Sequence, residues 1–99
     1  LKLAQGGAHL MIADLNAESA AETAKLCAKF DKEAVASCAL DLRDRASMAA
    51  ALKATVMQFG GVDGVINTAA VFLPPDANGE LTDQNWRLTL DINVTGNYY

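Results

Sequence analysis

Three short apolar runs divide this chain into regular intervals. The first extends from Ala8 to Ala13 and ends at Asp14, and the second extends from Ala34 to Leu40 and ends at Asp41. A third covers residues 62–69. Continuous apolar runs of this length, bounded by turn residues, are typical of strands that are buried on both faces of a parallel sheet.

The segments that follow these runs have the periodicity and the boundary residues of helices. Asn16 can cap a helix from Ala17 to about Lys29, and Asp44 can cap a second helix that ends at Gly60. Thr82 can cap a third helix that continues to the end of the chain. The first helix has a face of small residues: Ala17, Ala20, Ala21, Ala24 and Ala28. The second has an apolar stripe: Ala49, Leu52, Val56 and Phe59.

The order of these elements predicts an α/β fold. Residues 1–5 resemble the last turn of a helix, and strands and helices then alternate up to the end of the chain. Only the segment from Val71 to Leu81, which contains Pro74-Pro75 and Asn78-Gly79, is expected to be a loop. This order requires a parallel sheet with right-handed crossovers, and residues 1–99 are assigned to one domain.

Composition and charge exclude several classes of function. The chain is 52% hydrophobic and 20% charged, which is typical of a globular domain. Its net charge is −4 and its basic residues are scattered, so a nucleic-acid partner is not expected. No apolar run reaches the roughly 18 residues of a membrane span, and the lone His9 gives no basis for a metal site. Cys27 and Cys38 are interpreted as buried thiols in a reducing compartment, which with the lack of a signal-like start favours the cytoplasm.

Polar residues lie at the ends of all three predicted strands. Asp14, Asp41 and Asn67 would share the carboxyl edge of the sheet, where ligands bind in open parallel sheets. An acid at the position of Asp14 can accept hydrogen bonds from a ribose diol and would repel a 2′-phosphate, which favours NAD over NADP. The alternative is that these residues only cap the helices that follow. The phosphate-binding glycines of such a fold would precede Asp14 by about 20 residues, before residue 1.

The last predicted helix carries an asparagine on an otherwise apolar face. Trp86, Leu90, Asn93 and Asn97 share that face, and Trp86 is expected to pack in the core. The amide of Asn93 would then point inwards, where it must find partners or cost about 1–3 kcal/mol. An exposed or locally satisfied asparagine is the alternative.

Four segments resemble, in order and spacing, the central stretch of classical short-chain dehydrogenases/reductases. They are Ala8–Asn16, Ala39–Leu42, Phe59–Ala70 and Trp86–Gly96. The resemblance implies a partial Rossmann-like, doubly wound parallel sheet with three strands and three helices. The first strand of the family's fold is then missing from this chain, and its place is between the first predicted strand and residues 62–69.

The resemblance also implies a cofactor site at the strand ends. Asp14 matches the acid that selects NAD, and Leu15 beside it is assigned to the same site. Asp41 matches the acid that binds the adenine amino group, with Leu42 beside the ring.

A second group of implied site residues follows the third predicted strand. Asn67, Ala69 and Ala70 match the family's Asn-Asn-Ala-Gly motif, which lines the cofactor pocket, although Thr68 and Ala70 depart from it. Asn93 matches the helix asparagine whose backbone carbonyl holds a water in the proton relay of the family, and is the one catalytic residue expected here.

The intact protein is therefore expected to be an NAD-dependent oxidoreductase that transfers hydride between NAD and an alcohol or sugar, and to form a homo-oligomer. The catalytic Ser and Tyr-x-x-x-Lys of the family are expected after Tyr99, since no Lys follows Tyr98 or Tyr99, so residues 1–99 alone should be inactive.

Three further interpretations remain open from the residues. The motif variant and the ending Asn-Val-Thr-Gly-Asn-Tyr also resemble the dehydrogenase half of bifunctional aldolase/short-chain dehydrogenases that act on sugars such as rhamnulose phosphate. A non-catalytic nucleotide sensor could share the fold. A flavodoxin-like domain would require a phosphate-binding loop inside the chain, and none is visible.

Overall fold

The computed structural model describes all 99 residues and contains one parallel sheet of two strands. In chain order the elements are α1 (Lys2–Gln5), β1 (Leu10–Asp14), α2 (Ala17–Cys27), β2 (Val35–Ala39), α3 (Arg45–Phe59), α4 (Asp83–Leu90), a π-helical turn (Asp91–Thr95) and α5 (Gly96–Tyr98). The strands pair in parallel, with Leu10 opposite Val35 and Asp14 opposite Ala39. The predicted α/β class is confirmed.

The β1–α2–β2 unit, residues 10–39, contains most of the buried residues. Asn16 caps α2 as predicted, because its side chain accepts hydrogen bonds from the backbone N–H groups of Glu18 and Ser19. The buried residues of the unit are small: Ala20, Ala24, Cys27 and Ala34. Small side chains let the helix backbone approach the sheet closely, so a compact packing layer forms without large apolar groups.

The predicted third strand is not formed. Residues 62–69 make no backbone–backbone hydrogen bond, and Val65 and Ile66 are 82% and 73% exposed. The reason is that a strand needs a hydrogen-bonded neighbour, and β1 pairs only with β2. β1 and residues 61–70 instead line the same cleft, with no ladder between them.

Three expectations about burial are also wrong for this chain. The apolar stripe of α3 contains no buried residue, and Leu52 is 55% exposed. Trp86, expected in the core, is 54% exposed, and β1 and β2 are half-buried rather than enclosed on both faces. For both helices the half-buried face is not the expected one: it contains Met48 and Ala51 in α3, and Leu88 and Ile92 in the last helical stretch.

The last helical stretch is anchored on the turn that follows β2. Thr82 caps α4 by accepting the N–H of Asn85, and the stretch continues through the π-helical turn into α5. Gly96 is buried, and a Cβ added there would lie 2.8 Å from the Cβ of Leu42. The helix backbone therefore packs directly on Leu42, and only glycine fits at this contact.

The chain is more open than a compact domain of its size. Its accessible surface is 7316 Å² for a mass of 10.4 kDa, against about 5400 Å² for a typical folded monomer of this mass. Its radius of gyration is 15.8 Å, against about 12.6 Å. None of the helices combines the length and the apolar character that a bilayer crossing requires.

Candidate functional site

A wide cleft runs along the whole of β1, from Gly7 before the strand to Leu15 after it. Its volume is about 1790 Å³, and it is lined by β1, residues 40–43, one side of α3 and residues 61–70. Seven of the eight site residues predicted from the sequence line it: Asp14, Leu15, Asp41, Leu42, Asn67, Ala69 and Ala70. Asn93 does not line it, although its neighbour Ile92 does.

Asp14 presents a partly free carboxylate at the end of β1. Its Oδ1 accepts a hydrogen bond of 2.9 Å from the N–H of Asn16, which tightens the turn into α2. Its Oδ2 has no protein partner, and the side chain is exposed beside Leu15, which is 64% exposed. An ionised carboxylate with a free oxygen can accept hydrogen bonds from hydroxyl groups of a ligand.

Asp41 is held by an arginine that sequence reasoning did not select. Arg43 donates to Asp41 three times: from its backbone N–H and from Nε at 2.9 Å each, and from Nη2 at 2.6 Å. This fork holds the pKa of Asp41 down, at about 2, mainly through the side-chain hydrogen bond of Arg43 and then through its backbone N–H. The carboxylate is therefore ionised and fixed in orientation, while the pair remains accessible to solvent.

Leu42 and Ser47 complete the turn after β2. Ser47 accepts the backbone N–H of Asp41 at 3.0 Å, which ties the strand end to the first turn of α3. Leu42 is buried, at 8% exposure, because Gly96 packs against it. The backbone of this turn is thus held from two sides.

Asn67 organises the segment that the sequence assigned to the third strand. Its Oδ1 accepts the N–H of Ala69 at 3.0 Å, and its Nδ2 donates to Oδ1 of Asn97 at 2.7 Å. Asn97 had been placed on the same helix face as Asn93 from the sequence, without a role. Nothing in the sequence pattern indicates a contact across thirty residues, and only the tertiary structure reveals it.

Asn93 binds both polar groups of one backbone residue. Its Oδ1 accepts the N–H of Val71 at 2.9 Å, and its Nδ2 donates to the carbonyl of Val71 at 2.8 Å. The prediction that this amide must find partners is confirmed, although the face around it is only half-buried. Its side chain replaces a neighbouring strand for one residue, because paired strands exchange the same two bonds.

The chemistry of the cleft suits one part of a dinucleotide better than another. Two carboxylates at adjacent strand ends provide acceptors for hydroxyl and amino donors, such as those of a ribose and an adenine. They would repel phosphates, which need N–H donors or cations. These residues therefore fit a nucleoside. They supply no N–H donor or cation that would bind a pyrophosphate.

Known proteins resemble this chain over its whole length. The profile of a protein family described as enoyl-(acyl carrier protein) reductase matches residues 1–99. The chain is 35% identical to a trans-4-hydroxycyclohexanecarboxylate dehydrogenase of Sinomonas cyclohexanicum, over 97% of this chain and 39% of that protein. It is 38% identical to a D-threitol dehydrogenase of Mycolicibacterium smegmatis, over 93% of this chain and 35% of that protein.

A solved structure extends the likeness to the fold. A short-chain dehydrogenase/reductase of the glucose/ribitol dehydrogenase type from Brucella melitensis superposes with a TM-score of 0.86 at 26% identity. The superposition covers 98% of this chain and 40% of that one. The chain thus spans about two fifths of the length of these relatives.

Proposed function

Because this chain belongs to the short-chain dehydrogenase/reductase family, we propose that it forms the adenosine-binding side of an NAD-dependent oxidoreductase. The observation that carries the proposal is the free carboxylate oxygen of Asp14, in the cleft that Asp41 and Leu42 also line. A ribose diol at Asp14 would place an adenine near Asp41, since the two residues end neighbouring, paired strands.

The preference for NAD follows from charge. NADP carries a phosphate on the ribose oxygen that Asp14 is proposed to bind, and two anionic groups at that distance repel each other. None of the three residues that follow Asp14, which are Leu15, Asn16 and Ala17, carries the positive charge that a 2′-phosphate would need. Asp41 adds a second negative charge at the same edge, although Arg43 partly compensates it.

The proposed reaction is hydride transfer between NAD and the carbinol carbon of a small alcohol or sugar. The printed names of the relatives, a hydroxycyclohexanecarboxylate dehydrogenase and a D-threitol dehydrogenase, support this class of substrate. The nicotinamide ring supplies the hydride chemistry when the cofactor is bound. Within this chain, Asp14 and Asp41 bind and orient the cofactor, and the backbone carbonyl of Asn93 holds a water of the proton relay. We further propose that the intact protein is a cytoplasmic homo-oligomer.

The test is the cofactor preference of the intact protein. We expect kcat/KM to be higher with NAD than with NADP. Asp14→Ala should lower the ratio of these two kcat/KM values by at least about tenfold, because it removes the repulsion between Asp14 and the 2′-phosphate. Asp63→Ala is the matched control, because it removes a different carboxylate from the same cleft and should leave the ratio unchanged.

Two results would count against the proposal. A wild-type protein that prefers NADP would contradict the role of Asp14. NAD binding in calorimetry without turnover of any alcohol or sugar would favour a nucleotide sensor over an oxidoreductase.

A further inference from the structure

We propose that Asn97 is a positioning residue that holds the backbone carbonyl of Asn93 for proton transfer, an inference that rests on the oxidoreductase function proposed above. Asn97 does not touch substrate or cofactor in this proposal. It acts through Asn93, one helical turn earlier, and its own side chain is fixed from the other end by Asn67.

Asn67, Asn97 and Asn93 form a chain of hydrogen bonds in which each residue donates to the next. Asn67 donates to Oδ1 of Asn97 at 2.7 Å, and Nδ2 of Asn97 donates to the carbonyl of Asn93 at 2.9 Å. The same Nδ2 lies 3.4 Å from the carbonyl of Ile92. The acceptor and the donor of the Asn97 amide are therefore both engaged, which fixes its orientation.

The carbonyl that Asn97 binds lies in an irregular part of the helix. Residues Asp91–Thr95 form a π-helical turn, in which the N–H of Gly96 bonds to the carbonyl of Asp91. A π-helical turn displaces carbonyls from their usual i to i+4 partners, and such turns are frequent at functional sites. A side-chain donor at Asn97 can hold the Asn93 carbonyl where the backbone geometry is least regular.

Asn97 can do this without closing the carbonyl to other donors. A carbonyl oxygen has two lone pairs, so it can accept the amide of Asn97 and still accept a water. Donation from Asn97 also limits the movement of the peptide after Asn93. The expected result is an Asn93 carbonyl that is held in a fixed position and can still accept a water.

Two substitutions separate the two ends of the Asn97 amide. Asn97→Thr keeps a donor to the carbonyl four residues earlier, because Thr55 and Thr89 make this same bond at 2.8 Å elsewhere in the structure, but it cannot reach Asn67. Asn97→Asp keeps an acceptor for Asn67 and has no donor for the Asn93 carbonyl. The two variants therefore differ in the contact that the proposal depends on.

We expect opposite results for these variants in the intact protein. Asn97→Thr should retain kcat within about threefold, whereas Asn97→Asp should lower kcat about tenfold and raise the solvent isotope effect on kcat, since proton transfer is typically worth about 10²–10⁴-fold. The Kd for NAD, measured by calorimetry, should change less than about threefold in both. Thermal unfolding confirms that both variants are folded.

A spectroscopic readout tests the contact without activity. Carbonyl-¹³C asparagine combined with ¹⁵N valine marks the peptide between Asn93 and Val94, the one Asn-Val pair in these 99 residues. The Asn93 carbonyl shift, which reports hydrogen-bond acceptance, should move in Asn97→Asp and stay close to wild type in Asn97→Thr.

The outcomes are distinguishable. Impaired Asn97→Thr with normal Asn97→Asp would overturn the proposal, because the Asn67 contact would then be the important one. Normal kcat in both folded variants, or an unchanged carbonyl shift in Asn97→Asp, would overturn it as well. An inactive wild type would count against the oxidoreductase function, while the carbonyl shift would still decide the Asn97 contact.

Discussion

The β1–α2–β2 unit and the asparagine-linked region, which comprises residues 61–71 and the helical stretch 83–98, are held together in different ways. In the first, a parallel backbone ladder joins the strands and α2 packs through buried small residues such as Ala24. In the second, side-chain amides make the connections, and Val65 and Ile66 are 82% and 73% exposed.

This difference shows what each region needs in order to be stable. A βαβ unit contains both partners of its ladder, so its backbone groups are satisfied locally. Residues 61–71 have no strand beside them, and only a few hydrogen bonds from Asn93 and Asn97 hold them. A net contribution of about 0.5–1.5 kcal/mol for each hydrogen bond makes this connection much weaker than a packed layer.

Removing the side-chain amide of Asn93 should destabilise the asparagine-linked region more than the β1–α2–β2 unit. In the intact protein, Asn93→Ala is expected to lower kcat up to about 100-fold, with a smaller change in the KM for NAD, because Val71 loses both partners and the relay carbonyl shifts. Amide hydrogen exchange should accelerate in residues 61–71 and stay slow in β1 and β2.

Asn85→Ala is the control for this variant, since it removes an amide from α4 whose side chain makes no hydrogen bond in the structure. An unchanged kcat in folded Asn93→Ala would mean that the Asn93 side-chain amide does not contribute to turnover.

Enlarging Gly96 should separate the two regions from each other. A Cβ at this position would lie 2.8 Å from the Cβ of Leu42 and 3.2 Å from the carbonyl of Asp91, so Gly96→Ala forces the helix away from the turn after β2. We expect a loss of about 1–3 kcal/mol in the free energy of unfolding of the intact protein, measured in urea.

Gly64→Ala is the matched substitution, because no atom lies within 4 Å of a Cβ added there. Equal stability of the two variants would show that the helix does not rest on Leu42.

The smallest expected effect concerns the charge pair at the edge of the first region. Arg43 lowers the pKa of Asp41 to about 2. The Asp41–Arg43 pair therefore stabilises the folded state fully above the unfolded-state pKa near 4, and this stabilisation is lost as the pH falls towards 2. Arg43→Ala should raise this pKa, though not fully, because the backbone N–H of residue 43 still bonds to Oδ1.

A ¹³C titration of the Asp41 carboxyl group measures the change directly. Arg43→Lys keeps the charge and loses the planar guanidinium group. The pKa of Asp41 in this variant should lie between its values in the wild type and in Arg43→Ala. An unmoved pKa in Arg43→Ala would mean that the side-chain hydrogen bond is absent in solution.

Features that depend on neighbouring residues were predictable from the sequence. The caps at Asn16, Asp44 and Thr82 all accept backbone N–H groups as expected, and Gly60 ends α3 with a φ of +87°. The chemistry of a helix end lies within four residues, so the pattern is visible without tertiary structure.

Features that depend on distant partners were not predictable in the same way. The pattern of residues 62–69 is that of a strand, but strand formation is decided by a neighbour rather than by the segment itself. Trp86 is exposed because the last helical stretch packs through a different face, and the contact between Asn67 and Asn97 was unforeseen. Asp14 and Asp41 came together because the ends of parallel strands share an edge, which is a rule of topology.

The pair of bonds between Asn93 and Val71 also fixes the alignment of an otherwise unpaired segment. In extended backbone, the N–H and the carbonyl of one residue point to the same side, and those of the next residue point to the opposite side. A slip by one position would turn both groups away from Asn93 and leave its amide empty. The side-chain amide of Asn93 therefore fixes which residue of the segment it binds, and Asn67, four residues before Val71, donates to Asn97 in this same alignment.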